Sequence, residues 1–230
     1  DVYKRQEYPA SISNFVNTFI SYAPGARLSW SVINRGDSSI LFSNSGIPPY
    51  HPNDSYGGVI EYNFSNNQVT IFDTTNSVLD GLGGVLYPDI ADSYMTIHQI
   101  KHDINGNSWV VNPYAENSNN ILAIYNNDNE WSHVQAPDHI SFLPHEIAFN
   151  RDNTVWVGFR NFPGFSNGGI KILSYGDIDS KFDDVWVEID NLSELPNLVG
   201  VSVWSIEFSK IEDQDLCWVL TSDGVLGYIV

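Results

Sequence analysis

The sequence predicts an all-β protein assembled from one repeated four-stranded unit. Three observations predict it: short segments alternate apolar with polar residues, turns rich in Gly, Asn and Asp separate these segments, and the same four-part pattern recurs along the chain. Outside one short turn in residues 193–198, no window of the sequence shows the helical period. Strands are therefore expected to supply the hydrophobic core.

The two clearest copies of the unit are centred on Trp109 and Trp156. They align without a gap through the first hairpin, so that His98 at the start of one copy matches His145 at the start of the next. This agreement in register is the strongest evidence that the chain repeats a single structural unit.

Two further copies diverge more. One begins at Trp204, has a longer turn, and carries Trp218 in the central tryptophan position. An earlier copy begins at Trp30 and carries Leu41 in that position. The central position is apolar in all four copies, as expected for a residue that packs between units.

Within each copy the predicted elements follow in a fixed order. The first strand alternates apolar and polar positions, and a polar turn such as residues 103–106 or 151–153 leads to a second strand. A variable loop precedes the third strand, and the fourth strand is short. Units of four antiparallel strands that recur about every 47 to 68 residues predict the blades of a β-propeller, each covering its neighbour's apolar face. A β-sandwich would not repeat this pattern in register.

The predicted organisation places two leading segments before the blades. Residues 1–6 match a translation of a transposon end used to prepare sequencing libraries, so we expect a non-native, adapter-derived leader. The last blade is expected to lack its fourth strand. Truncation of the protein would explain this, and the adapter-derived leader favours that explanation. Alternatively, residues 11–22 supply the missing strand. The predicted boundaries are 1–6 for the leader, 7–27 for a lead-in segment or partial preceding strand, and 28–96, 97–143, 144–202 and 203–230 for the blades.

Charge and composition exclude several classes of function. The chain carries 28 acidic against 10 basic residues and a net charge of −18, which disfavours nucleic acid and anionic membrane surfaces as partners. No apolar run approaches the roughly 20 residues that span a bilayer. The single cysteine, Cys217, excludes a disulfide within the chain and is expected to be a buried thiol. High acidity with abundant Asn suits a secreted protein.

Two blades share a pattern of residues that goes beyond the alternation of apolar and polar positions. It is carried by Ile100, Asp103, Gly106, Trp109, Val110, Ile147, Asp152, Trp156, Gly168, Gly169 and Ile170. Over about residues 28–230 the pattern resembles the two-component-regulator type propeller repeats of Bacteroidetes and related marine bacteria, although Leu41 departs from it. The resemblance implies a propeller that serves either a periplasmic sensor region of a hybrid histidine kinase or a surface protein similar to the type IX secretion propeller. It designates no catalytic residue.

Two histidines are the first candidate site. His98 and His145 occupy equivalent positions at the start of innermost strands, which face the channel of a propeller, so their imidazoles could converge on a metal there. The third and fourth equivalents are Trp204 and Trp30, which favours plain aromatic packing instead.

Aromatic residues in predicted loops are the second candidate site. Such side chains could stack on a sugar or grip a peptide, and they could equally fill the rims of the blades. They are Tyr50, Tyr56, Tyr114, Phe162 and Phe165.

Three motifs that suggest chemistry are better explained as turns or scattered residues. Residues 103–107 lack the spacing and distal Glu of a calcium loop, and residues 164–168 match G-x-S-x-G only by letters, because a loop between two strands replaces the required strand-to-helix elbow. Scattered carboxylates show no pairing that sequence could establish.

The sequence therefore predicts a non-catalytic binding or scaffold propeller, outside the cytoplasm, with a protein or carbohydrate partner at one face. No cofactor, no nucleic acid and no membrane insertion of this segment is expected. A periplasmic sensor propeller is the first alternative, and a metal-dependent lyase or hydrolase is the second.

Overall fold

The computed structural model consists of strands joined by turns and loops. Among the residues that the structure describes, fifteen strands form four separate antiparallel sheets, and within each sheet every strand pairs with the next one along the chain. The structure describes residues 31–44, 57–81, 95–115, 121–134, 136, 143–178, 180, 183–188, 198, 200–212 and 214–229.

The four sheets follow one another in sequence, and we number them as blades 1 to 4. Blade 1 contains β1 (Val32–Arg35), β2 (Ser39–Asn44), β3 (Gly58–Asn63) and β4 (Gln68–Phe72). Blade 2 contains β5 (Gln99–His102), β6 (Ser108–Val111), β7 (Leu122–Tyr125) and β8 (Trp131–Val134). Blade 3 contains β9 (Pro144–Phe149), β10 (Val155–Phe162), β11 (Ser166–Ser174) and β12 (Val185–Glu188). Blade 4 contains β13 (Val203–Ile211), β14 (Gln214–Thr221) and β15 (Gly224–Ile229).

The four sheets are arranged as blades around a common axis. The first strands of successive blades lie side by side, β1 beside β5, β5 beside β9 and β9 beside β13. The all-β prediction and the propeller arrangement are therefore confirmed, with a fourth blade that has three strands among the described residues. Two interleaved layers, as in a sandwich, are not formed by these sheets.

Among the described residues, the hydrophobic core is divided into three layers, one between each pair of neighbouring blades. Trp109 of blade 2 contacts Phe149 and Tyr175 of blade 3, with ring centroids 5.6 and 4.8 Å apart. Trp156 of blade 3 meets Phe208 of blade 4 in the same way, edge to face at 5.4 Å. Trp109 and Trp156 therefore each pack on the first strand of the following blade, and Trp109 also packs on Tyr175, directly after the third strand, as the repeat predicts.

A buried carboxylate fixes the first turn of blade 2. Asp103 accepts hydrogen bonds from the backbone N–H of Asn105 and Asn107, both at 2.9 Å, and from the indole Nε1 of Trp109 at 3.2 Å. The hydroxyl of Tyr175 in blade 3 donates to the same carboxylate at 3.2 Å. Asp103 thus orders a turn and joins two blades, and these hydrogen bonds account for an aspartate at this position.

Two further predictions concern Cys217 and residues 164–168. Cys217 is buried in the layer between blades 3 and 4, so the prediction of a buried thiol is confirmed, and burial raises the pKa of this thiol to about 12. Residues 164–168 lie in the hairpin between β10 and β11, where Phe162 pairs with Ser166, and no helix follows. None of the described residues forms a helix long and apolar enough to cross a membrane.

Candidate functional site at one end of the channel

Three aromatic rings from successive blades meet at one end of the channel. His98 directly precedes β5, and His145 and Trp204 are the second residues of β9 and β13. The ring centroids of His98 and His145 are 4.8 Å apart, and those of His145 and Trp204 are 5.2 Å apart, both edge to face. The in-register repeat predicted the convergence of the two histidines, and the structure adds the indole to the row.

β-bulges set the direction of two of these side chains. In blade 3, Gly158 pairs with Glu146 but Phe159 pairs with Pro144, so His145 is the extra residue of a bulge in β9. In blade 4 the register shifts in the same way at Trp204. A bulge re-aims the extra residue, and bulges are common next to functional sites.

A fourth group, Arg160, completes what we call the channel-end cluster: His98, His145, Trp204 and Arg160. The backbone N–H of Arg160 donates to the carbonyl of Leu143 at 3.1 Å, which anchors β10 beside β9. Its guanidinium carbon lies 5.5 Å from the centroid of the Trp204 ring, a cation–π distance.

The charge of Arg160 is not balanced by a carboxylate within the described part of the chain. Arg35, Lys101 and Arg151 each lie within 4.0 Å of an Asp or Glu oxygen, at 3.6, 2.9 and 3.3 Å. Arg160 forms no such ion pair with the described residues. In a protein of net charge −18 this is an unusual position for a cation.

Both imidazoles of the cluster are neutral at physiological pH. Burial lowers the pKa of His98 to about 3, with further lowering by His145 and Arg160. Burial also lowers the pKa of His145 to about 4, and the charge of Arg160 adds to this. Each neutral ring carries one N–H donor and one acceptor nitrogen.

The cluster is a poor match for a metal ion. Neutral imidazoles are the ligating form, but the third position of the row is an indole, which does not coordinate metals, and Arg160 places a positive charge beside them. Within the described ranges no three His, Cys, Asp or Glu side chains group around one point. The metal hypothesis for His98 and His145 therefore gains no support from their surroundings.

Three of the five loop aromatics predicted from the sequence lie at the same end. Tyr114 follows β6, whose last residues pair with the start of β5, and Phe162 and Phe165 flank the turn between β10 and β11. The two phenylalanines are exposed and contact each other, with ring centroids 5.4 Å apart. Tyr50 and Tyr56 lie outside the described residues. A ligand role for these aromatics stays a prediction.

The opposite end of the channel carries a cleft of about 340 Å³ whose charged groups are already paired. Lys101 lies 2.9 Å from Glu146 and 3.6 Å from Glu207. His102 Nε2 lies 2.6 Å from the carbonyl oxygen of Asn34, so this histidine joins blades 2 and 1. Burial raises the pKa of Glu146, against the influence of Lys101. This end therefore holds the blades together.

Comparisons with known proteins support the fold and leave the function open. No known family and no curated protein matches the sequence. Among solved structures, the chain is similar to PorZ, an essential bacterial surface component of the type-IX secretion system of Porphyromonas gingivalis, with a TM-score of 0.60 and 13% identity over 86% of this chain and 24% of PorZ.

Two other solved structures are more distant. The extracellular domain of BT4673 from B. thetaiotaomicron matches with a TM-score of 0.47 and 15% identity, over 87% of this chain and 22% of that one. A GH43 endo-arabinanase from Bacillus licheniformis matches with a TM-score of 0.38 and 13% identity, over 82% and 63%. The chain thus spans about a quarter of PorZ and less of BT4673, and the likeness to PorZ shows the fold alone.

The repeat identifies Trp204 as the equivalent of His98 and His145 and favours plain packing there, whereas nothing in the repeat points to Arg160. The structure places both residues beside His145. Arg160 lies in the loop-proximal part of β10, beyond the aligned core of the repeat. The available signal was a lone basic residue near the channel end of a strongly acidic chain.

Proposed function

We propose that the chain is a non-catalytic binding module whose contact surface is the end of the channel that carries the cluster. The supporting observation is that successive blades bring two neutral imidazoles, an indole and a guanidinium together on rigid strands. Side chains held by sheets lose little entropy when a partner docks, so the platform is preorganised. The partner is a protein or a glycan.

The environment of the reactive groups supports a role without a chemical step. Cys217 is buried as a thiol, and the carboxylate of Asp103 is fully used by its turn and by Trp109. Glu146 is held by Lys101 and Gln99. These groups hold the blades together, whereas nucleophiles and general acids need free access to a substrate.

We further propose that the module works outside the cytoplasm of a bacterium. An acidic surface with net charge −18 suits a secreted protein. The similarity of fold to a bacterial surface component agrees with this placement.

Arrays of glycans and peptides probed with the 230-residue chain test the binding function. Trp204→Leu removes the indole of the cluster, and Trp218→Leu is the matched control, because both are partly exposed tryptophans of blade 4. We expect array signals that disappear with Trp204→Leu and persist with Trp218→Leu. An array without signals, signals lost equally in both variants, or turnover of a bound glycan would each contradict the proposal.

A further inference from the structure

The third strand of blade 4 contains a buried tyrosine whose hydroxyl has no acceptor. Tyr228 is 6% exposed, and within the described part of the chain its hydroxyl has no hydrogen-bond partner. A buried hydroxyl that stays unpaired costs free energy, and native structures supply an acceptor for most such groups. Tyr228 is therefore a donor that the described residues leave unsatisfied.

The same position in blades 1 and 2 shows which acceptor fits it. Tyr62, Tyr125 and Tyr228 each pair with the residue before the central position of their blade, so they are equivalent. The hydroxyl of Tyr62 donates to Oδ1 of Asn67 at 2.9 Å. The hydroxyl of Tyr125 lies 3.4 Å from Oδ1 of Asn129. In both blades the acceptor is thus an asparagine that follows the tyrosine by 5 or 4 residues.

The backbone of these asparagines places the acceptor in the turn before the fourth strand. Asn67 and Asn129 have φ angles of 55° and 66°, the left-handed conformation that asparagine tolerates better than most residues. Two positions later, Val69 of β4 and Trp131 of β8 pair with the two tyrosines. Trp131 also stacks on Tyr125, with ring centroids 4.7 Å apart and an interplanar angle of 15°. The turn and the fourth strand therefore hold the tyrosine together.

Blade 3 lacks both the hydroxyl and the asparagine. Its equivalent residue is Leu173, which pairs with Trp186 of β12. Two positions before Trp186 the chain has Asp184, where blades 1 and 2 have an asparagine. The asparagine thus occurs with the tyrosine, while a large apolar residue in the fourth strand is common to all three blades.

The outer edge of blade 4 can accept such a strand. Among the described strands β15 pairs with β14 alone, so alternate N–H and C=O groups on its other edge have no ladder partner. Val225 and Ile229 on this strand are 63% and 68% exposed. The strand contains no proline and no charged residue, the features that protect an edge from pairing.

We infer that this edge binds a fourth strand joined to β15 by a turn that contains an asparagine. The asparagine follows Tyr228 by 4 or 5 residues and accepts its hydrogen bond, and a large apolar residue two positions later pairs with Tyr228. Because the turn itself supplies the acceptor in blades 1 and 2, the occupant is the next segment of the same polypeptide and not a strand of another molecule. The inference concerns the assembly of the blade and is independent of the partner proposed for the channel end.

A short extension of the chain tests the inference. Residues 128–134 (Asp-Asn-Glu-Trp-Ser-His-Val), added after Val230, place an asparagine and a tryptophan as far from Tyr228 as Asn129 and Trp131 are from Tyr125. We expect the melting temperature to rise by about 2 to 4 °C and the amides of β15 to exchange with solvent about tenfold more slowly. The same extension with alanine in place of its asparagine is the matched control, and it should lose much of the rise.

Removal of the hydroxyl tests the role of the tyrosine. In the 230-residue chain Tyr228→Phe should leave the melting temperature unchanged or raise it, because the hydroxyl has no acceptor there. In the extended chain the same substitution should lower the melting temperature by about 2 °C. Tyr62→Phe is the matched control and should lower it in both chains, since this hydroxyl has its asparagine.

Three results would overturn the inference. The first is an extension that leaves the melting temperature and the exchange of β15 unchanged, or that stabilises equally with and without its asparagine. The second is a loss on Tyr228→Phe in the 230-residue chain as large as that on Tyr62→Phe. The third is equal stabilisation by the same peptide added as a separate molecule at micromolar concentration, which would show that no connecting turn is needed.

The coding sequence tests the identity of the occupant. The codons after that of Val230 should specify an asparagine 4 or 5 residues after Tyr228 and a large apolar residue two positions later. A reading frame without this pair would show that the natural occupant is a different strand.

Discussion

Trp109 and Trp218 occupy the same position in blades 2 and 4, but their surroundings differ completely. Trp109 is 0% exposed, and its indole N–H donates to the buried Asp103 at 3.2 Å. Trp218 is 43% exposed, and its indole N–H donates to Ser209 on its own sheet at 2.9 Å. The difference arises because blade 3 covers Trp109, whereas no described blade covers Trp218.

The central tryptophan of a blade is buried mainly by the neighbouring blade and less by its own sheet. Trp156 is only 5% exposed because blade 4 packs against it, so the burial of this tryptophan depends on the presence of the next blade. On the uncovered face of blade 4, Leu220, Val225 and Ile229 are exposed beside Trp218. The apolar positions of the repeat therefore mark the surface that packs against the neighbouring blade, which a single blade cannot bury by itself.

Replacing the covered tryptophan should have the largest effect. Trp109→Ala removes the rings' contacts between blades 2 and 3 and leaves Asp103 without one donor, so we expect a loss of about 3 to 5 kcal/mol of unfolding free energy. Urea unfolding followed by circular dichroism measures it. A loss below about 1 kcal/mol would mean that the layer between blades 2 and 3 is not a folded core.

The close approach of blades 3 and 4 gives a second test. A Cβ added at Gly158 would lie 2.6 Å from Cγ1 of Val203, so Gly158→Ala should destabilise the protein by about 1 to 3 kcal/mol. Val203→Ala in the same chain removes the clash and should recover part of the loss. Additive losses in the double variant would contradict the clash as the cause.

Burial by neighbouring blades also predicts a pH dependence at the channel end. The pKa values of His98 and His145 are lowered from 6.5 to about 3 and about 4, so the unfolded chain binds more protons than the folded one below pH 6.5. Stability from these groups is therefore fully present above pH 7 and falls as the pH decreases through 6.5 towards 4. Allowing for their partial solvent exposure, we expect a loss of about 1 to 2 kcal/mol per imidazole between pH 7.5 and 5.

Matched variants isolate this contribution from that of the carboxylates. His98→Asn and His145→Asn should each flatten the pH dependence of the melting temperature, whereas His102→Asn, at the other end of β5, serves as the control. An identical pH profile in all four proteins would show that the imidazoles are not held neutral by the fold.

Replacing the uncovered tryptophan should have the smallest effect. Trp218→Ala removes a side chain that keeps much of its surface in water, so the expected loss is within about 1 kcal/mol. Acrylamide should also quench a component of the fluorescence that Trp218→Phe removes and Trp109→Phe leaves in place. A loss as large as that of Trp109→Ala would show that this face is covered in solution.

The sequence was sufficient for the fold because the same apolar positions recur in register from His98 to Trp109 and from His145 to Trp156. It was also sufficient for the meeting of the two histidines, since equivalent residues of adjacent blades lie side by side. Arg160 could not be predicted, because its place depends on where β10 runs past the end of β9 and on the register shift beside His145. Such shifts leave no regular pattern in the alternation of residues.

The central tryptophans of successive blades point the same way along the row of blades, so the two ends of the row differ. Trp109 meets Phe149, and Trp156 meets Phe208, so the layers on both sides of blade 3 join the second strand of one blade to the first strand of its successor. A blade of this kind presents a second-strand tryptophan on one face and a first-strand phenylalanine on the other. Its two faces therefore complement each other, and neither face complements itself.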